Sequence, residues 1–97
     1  MRFEIVLAPE AVEDFRRLSA RARTAVRAAL EAHLRHESAK TSKSRIKRLR
    51  GLARPQYRLR VEAARVFYDV SGATVEVLAV VAKAEAQSWL ARFGSPG

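Results

Sequence analysis

Residues 56–70 read QYRLRVEAARVFYDV. In 57–61, Tyr57, Leu59 and Val61 fall on one face of a strand, and Arg58 and Arg60 fall on the other. In 65–70, Val66, Tyr68 and Val70 share a face, with Arg65, Phe67 and Asp69 opposite. Glu62, Ala63 and Ala64 lie between, few enough for a tight hairpin. Neither Asn-Gly nor Asp-Gly marks the turn, so its type stays open. If both apolar rows face one core, Arg58, Arg60 and Arg65 gather on the reverse side. Three guanidiniums on a rigid ribbon repel one another unless an anion sits between them, and arginine's planar fork suits phosphate. The pattern alone fits an anion site and a solubilising polar face equally well.

Upstream of the hairpin, residues 49–52 (LRGL) bring the chain back to the core, with Gly51 permitting a positive φ. Residues 37–48, ESAKTSKSRIKR, are polar and basic around a single apolar Ile46, and read as a mobile linker with at most some helix. Arg45, Lys47, Arg48 and Arg50 are candidate nucleic-acid contacts. Residues 21–36 form the clearest helix, with Ala22, Val26, Ala29, Leu30, His33 and Leu34 on a 3.6-residue stripe. His33 and His36 have no paired carboxylate nearby, which favours structural over acid–base roles. An earlier helix starts near Pro9 behind acidic Glu10, Glu13 and Asp14, and buries Val12, Phe15 and Leu18. Ser19 is either the N-cap of the second helix or the hinge between the two. Residues 2–8 alternate as a strand.

Downstream, Gly72 marks a turn, and residues 74–81 (TVEVLAVV) are apolar on both faces, as an interior strand is. Residues 83–93 read as a short helix with Ala86, Leu90 and Phe93 on one stripe and Trp89 pointing elsewhere. The closing GSPG is expected to fray.

The 97 residues suit one domain, 1–97, without internal repeats, and 48% hydrophobic content is enough for a modest core. Cysteine is absent, so there is neither a disulfide framework nor a thiolate metal site. The start lacks the apolar core of a signal peptide, and no run approaches the ~20 apolar residues of a membrane helix. The expectation is a cytoplasmic protein that needs no membrane. Nineteen Lys and Arg against ten Asp and Glu give a net charge of +9. That field points to nucleic acid or an acidic protein segment, and least to an anionic membrane.

Gly-rich phosphate loops, a nucleophile elbow and metal-ligand spacing are all missing, so no cofactor or metal is expected. What remains is a cationic sheet face with Lys83 and Glu85 just past the central strand. Such a face can bind phosphodiesters, with Trp89 or Phe67 stacking on bases. It could also cleave RNA without a metal, given a base for the 2′-hydroxyl, cations for the phosphorane charge and an acid for the leaving oxygen.

The order of elements, the LRGL–YRLRV–ARVFYDV run and the VEVLAVVAKAE segment resemble the RelE/ParE toxins of type II toxin–antitoxin pairs. The resemblance spans nearly the whole chain. It implies an α+β fold: two N-terminal antiparallel helices packed on a small, mostly antiparallel sheet (β-α-α-β-β-β), with a short C-terminal helix. It also implies a cognate antitoxin that wraps and blocks the toxin in a hetero-oligomer. RelE-like members enter the ribosomal A site and cut mRNA; ParE-like members poison DNA gyrase. Basic residues at Arg58, Arg60 and Arg65 match the RelE-like branch, an endoribonuclease or mRNA interferase that stops translation. Two features depart from it. Arg58 stands where a lysine able to act as base is common, and an arginine guanidinium does not readily lose a proton. Ala84 and Leu90 stand at or near positions where an arginine and a tyrosine are usual. Lys83 is one residue away from the first of these and Trp89 is the nearest aromatic to the second; Glu85 or a ribosomal group would then supply proton transfer.

Overall fold

The computed structural model describes residues 2–37 and 45–97. Strand β1 (Glu4–Leu7) leads into α1 (Pro9–Arg17) and α2 (Ala20–Ala29). The second helix continues through a π-helical turn, Leu30–Leu34, into α3 (Arg35–Glu37). Then come β2 (Ile46–Arg48), β3 (Leu52–Arg54), β4 (Tyr57–Val61), β5 (Ala64–Ser71) and β6 (Thr74–Ala82). A 3₁₀ turn, Lys83–Glu85, precedes α4 (Ala86–Phe93) and β7 (Ser95–Pro96). The main sheet runs β1-β6-β5-β4-β2, antiparallel except where β1 meets β6. The fold is the expected α+β arrangement.

Local chemistry sets the helix boundaries. Pro9 opens α1, where a missing N–H costs nothing. Ser19 caps α2, its hydroxyl oxygen accepting from the Ala22 N–H at 3.1 Å. The helices bury Ala11, Val26, Leu30 and Leu34 against Leu59, Val61, Val66, Tyr68, Val75 and Val77 of the sheet. All the predicted inward residues of the hairpin are therefore on the helix side, with Tyr57 and Val70 at its margin. The turn contains two residues, since Val61 pairs with Ala64, and Glu62 takes a positive φ of 52°.

Strand β6 is buried on both faces, as its sequence predicts. The register against β5 slips between Phe67 and Tyr68, leaving Leu78 as an extra residue. Such a bulge bends the strand and exposes ladder groups. On the other edge of β6, beyond its last β1 partner Val77, the Val80 N–H donates to the Asp14 carboxylate of α1 at 3.0 Å.

Three expectations change. Residues 46–48 are not linker but an edge strand: Ile46 stands opposite Leu59 and is buried, so pairing with β4 rather than local apolar content makes the strand. The rest of the predicted linker, 38–44, lies outside the described residues. The GSPG end does not fray, because Ser95 and Pro96 pair with β3 and the Gly97 N–H donates to the Gly51 carbonyl at 3.0 Å. Gly94 permits this return: a Cβ there would lie 2.6 Å from the Leu90 carbonyl oxygen. Finally, Trp89 is the inward residue of α4, stacked on Phe67 at 4.9 Å and 7°, while Phe93 is 57% exposed.

Candidate nucleic-acid interface

The sheet face opposite α1 and α2 collects the cations by register. In one cross-strand row Lys47, Arg58, Phe67 and Ala79 are successive partners. In the next, Arg60 pairs with Arg65 and Arg65 with Val81. The Arg60 N–H donates to the Arg45 carbonyl at 2.8 Å, which puts Arg45 at the β2 end of that row. With strands about 4.8 Å apart and alternate residues about 6.7 Å apart, the cations form a two-row lattice.

Arg65 is its most enclosed member, 7% exposed. One guanidinium nitrogen, NH1, donates to the carbonyls of Glu62 at 3.0 Å and Ala64 at 2.8 Å, so the hairpin's own turn holds it. The carboxylate of Asp69, on the same strand face, is committed elsewhere. It accepts from the Gln56 N–H at 2.7 Å and lies 3.2 Å from Arg54 Nε. Arg54 also reaches Glu76 at 3.0 Å, tying the β3–β4 corner to β5 and β6.

Burial pushes the Arg58 pKa down, and Arg65 and Arg60 add to the effect. Burial and Arg60 do the same to Arg65. Arg58 Nε is buried without a hydrogen-bond partner among the described residues. A desolvated donor and like charges across strands both oppose folding. An anion on this face would relieve both.

The other predicted site residues divide. Lys83 is exposed at the sheet's end, its N–H donating to the Ala63 carbonyl at 2.8 Å, hence beside the hairpin turn. Glu85 is exposed one 3₁₀ turn further on. Arg50 is exposed in the β2–β3 turn. Arg48 does not join the lattice: it pairs with Tyr57, on the helix side, and covers that ring at 5.1 Å. Tyr57 in turn stacks on Tyr68 at 5.3 Å. Phe67 is fully buried beneath Trp89, so it has no free face for a base. Trp89 is half-buried, with Phe93 tilted against it at 5.5 Å.

Sequence reasoning missed the neighbouring cleft. Lys47, Leu49, Arg50 and Leu52 face Gln87, Leu90 and Ala91 of α4 across about 490 Å³. Its signal was the spacing 87, 90, 91 on one helix face, which is legible only once Trp89 is known to point inward.

Neither a protein-family model nor a curated protein sequence matches the chain. Solved structures do. A chain of the RelB–RelE antitoxin–toxin complex from Methanococcus jannaschii superposes with a TM-score of 0.66 at 20% identity, covering 87% of this chain and 96% of that one. One from the RelBE2 toxin–antitoxin complex of Mycobacterium tuberculosis also gives 0.66, at 21% identity, covering 84% and 99%. A mutant of the E. coli toxin RelE in the free state gives 0.57 at 21% identity, covering 94% and 93%. The helix pair and the mostly antiparallel sheet thus form a fold of the RelE-like toxin type.

Proposed function

We propose that the chain is the toxin of a type II toxin–antitoxin pair, acting as a metal-independent, ribosome-dependent mRNA endoribonuclease. The observation that carries this reading is the Arg58–Arg60–Arg65 cluster: Arg58 and Arg65 are partly desolvated, exposed Arg60 stands beside them, and the buried Nε of Arg58 has no hydrogen-bond partner among the described residues. Cations already stripped of water stabilise the extra negative charge of a phosphorane without reorganising. Arg65, fixed by two carbonyls, and the adjacent Arg60 take the scissile phosphate. Arg45, Lys47 and Arg50 hold the flanking backbone.

Proton transfer falls to Lys83, beside the hairpin turn, with Glu85 as its neighbour. Lys83→Arg keeps the charge but removes a readily exchanged proton. A drop in single-turnover cleavage of about 10²-fold or more is the expected result for a general acid or base. An unchanged rate would reassign the step to a ribosomal group.

The partner follows from charge and fold. The RelB–RelE and RelBE2 structures are toxin–antitoxin complexes. For this +9 chain we propose an antitoxin that is acidic where it meets the lattice. Its apolar anchors would seat near Trp89, Leu90 and the exposed Phe93. The test is expression with and without the neighbouring small reading frame, following translation and DNA damage separately. Cut mRNA with an early translation stop, relieved by co-expression, supports the reading. A damage response with intact mRNA would favour gyrase as the target, and the absent arginine and tyrosine at Ala84 and Leu90 are the observation on that side.

A further inference from the structure

Among the described residues Glu62 is the one non-glycine with a positive φ, 52°, and it holds the first central position of the two-residue β4–β5 turn. Ala63 does not share that sign, so the turn follows the type II′ pattern, whose first central position favours Gly. Glu62 and Ala63 are exposed, and the turn meets α2 across an apolar cleft of about 200 Å³ that Ala22 and Ala25 help to line. Close packing therefore does not impose the conformation. A strained backbone persists only where its surroundings over-determine it. Here the surroundings are two cations of the site. The Glu62 and Ala64 carbonyls both accept from Arg65 NH1, at 3.0 and 2.8 Å, and the Ala63 carbonyl accepts from the Lys83 N–H at 2.8 Å. The carbonyls of 62, 63 and 64 are thus all committed to Arg65 and Lys83. Both bonds from Arg65 fall on NH1, so the turn does not use the rest of the guanidinium fork.

We propose that Glu62 is a positioning residue of the anion site: its left-handed backbone turns the Glu62 carbonyl onto Arg65 and fixes that guanidinium beside Arg60 and Lys83. The inference rests on the anion-binding reading of the arginine cluster, not on the reaction proposed for it. A carboxylate partner would aim Arg65 but cancel the charge an anion needs. Neutral carbonyls aim the fork and leave its charge, which is what a preorganised anion site requires. The backbone of residue 62 carries this role, so a substitution matters through the φ it allows.

The test titrates the folded full chain with inorganic pyrophosphate at low salt by calorimetry and records thermal midpoints beside it. Glu62→Gly and Glu62→Asn take a positive φ readily and should bind pyrophosphate as wild type does, with midpoints no lower. Glu62→Thr, whose β-branched side chain opposes a positive φ, should bind about 10-fold more weakly or worse, the contribution of one hydrogen bond to a charged group. In an Arg65→Lys background that penalty should vanish, because an ammonium lacks the fork that the turn aims. Full pyrophosphate binding by folded Glu62→Thr would overturn the proposal. So would an undiminished penalty in Arg65→Lys, which would mean that Glu62 does not act through Arg65. Equal loss in all the Glu62 variants would assign the effect to the carboxylate and overturn it as well. Where Glu62→Thr does not fold, Glu62→Gly and Glu62→Asn decide alone, and weakened binding in either counts against the proposal. Wild-type protein that binds no pyrophosphate would also overturn it. The toxin reading fails separately: ribosome-bound mRNA left intact by wild type, with the pyrophosphate pattern holding, removes the reaction and leaves the positioning role.

Discussion

Arg58 and Arg65 show what a function-bearing residue costs its fold. Both are guanidiniums pushed toward deprotonation by burial first and like charge second. Arg58→Met keeps the length and removes the charge, relieving both the cross-strand repulsion and the unpaired nitrogen. That variant should be more stable by about 1 kcal/mol, roughly 4–8 °C in Tm for a domain this size, yet defective in RNA binding. Calorimetry and RNA titration on the same preparation check the pair of outcomes; an unstable Arg58→Met protein would mean the side chain is structural. Arg65→Ala should lose about 10²–10³ in cleavage rate, or ~2.7–4 kcal/mol of transition-state stabilisation. Its circular dichroism should stay native, because its partners are part-buried hairpin carbonyls rather than a buried carboxylate. The gathering of these arginines was legible in the alternation of 57–61 and 65–70. The bonds of Arg65 to Glu62 and Ala64 carbonyls were not, since they depend on a turn whose type no residue pair announced.

At the level of elements, the α1–β6 contact has a defined weak point. Asp14 satisfies the Val80 N–H left without a β1 partner. Asp14→Ala would leave that donor unmet and should cost about 1–3 kcal/mol, whereas Asp14→Asn retains an acceptor and should cost less. Denaturant unfolding distinguishes the two. The π-helical turn gives a pH dependence. Burial, assisted by Arg45, lowers the His33 pKa from its ordinary 6.5. The unfolded chain therefore binds the proton more readily than the folded one. The His33 contribution is complete above pH about 6.5 and is lost as pH falls toward the folded value. Wild-type stability should decline from pH 7 to pH 5, and His33→Gln should flatten that decline. The helices, hairpin and β6 could be read from periodicity because their own residues carry the pattern. Strand β2 could not: Lys47 and Arg48 are polar, and Ile46 becomes a core residue only opposite Leu59.

The whole molecule is a helix pair backing a sheet whose other face carries the lattice and, at one end, α4. Two distant attachments hold α4: Trp89 on Phe67 and the pairing of β7 with β3. Neither was visible in sequence: the first joins two elements whose periodicity does not fix how they dock, and the second joins segments of no local pattern and relies on the approach of Gly94 to Leu90. Trp89→Ala should loosen this corner and cost about 2 kcal/mol, below the ~3–5 kcal/mol of a fully buried tryptophan because Trp89 is half-exposed. Amide exchange across 86–97 should accelerate well before the rest of the sheet opens. The most direct measurement of function joins all of this on the intended substrate. Purified protein is incubated with ribosomes holding a defined mRNA codon in an empty A site, chelator present, and new RNA ends are mapped by primer extension. Cleavage within that codon by wild-type protein, lost in folded Arg65→Ala, is the result expected. Intact mRNA under conditions where the same protein blocks gyrase supercoiling would contradict it.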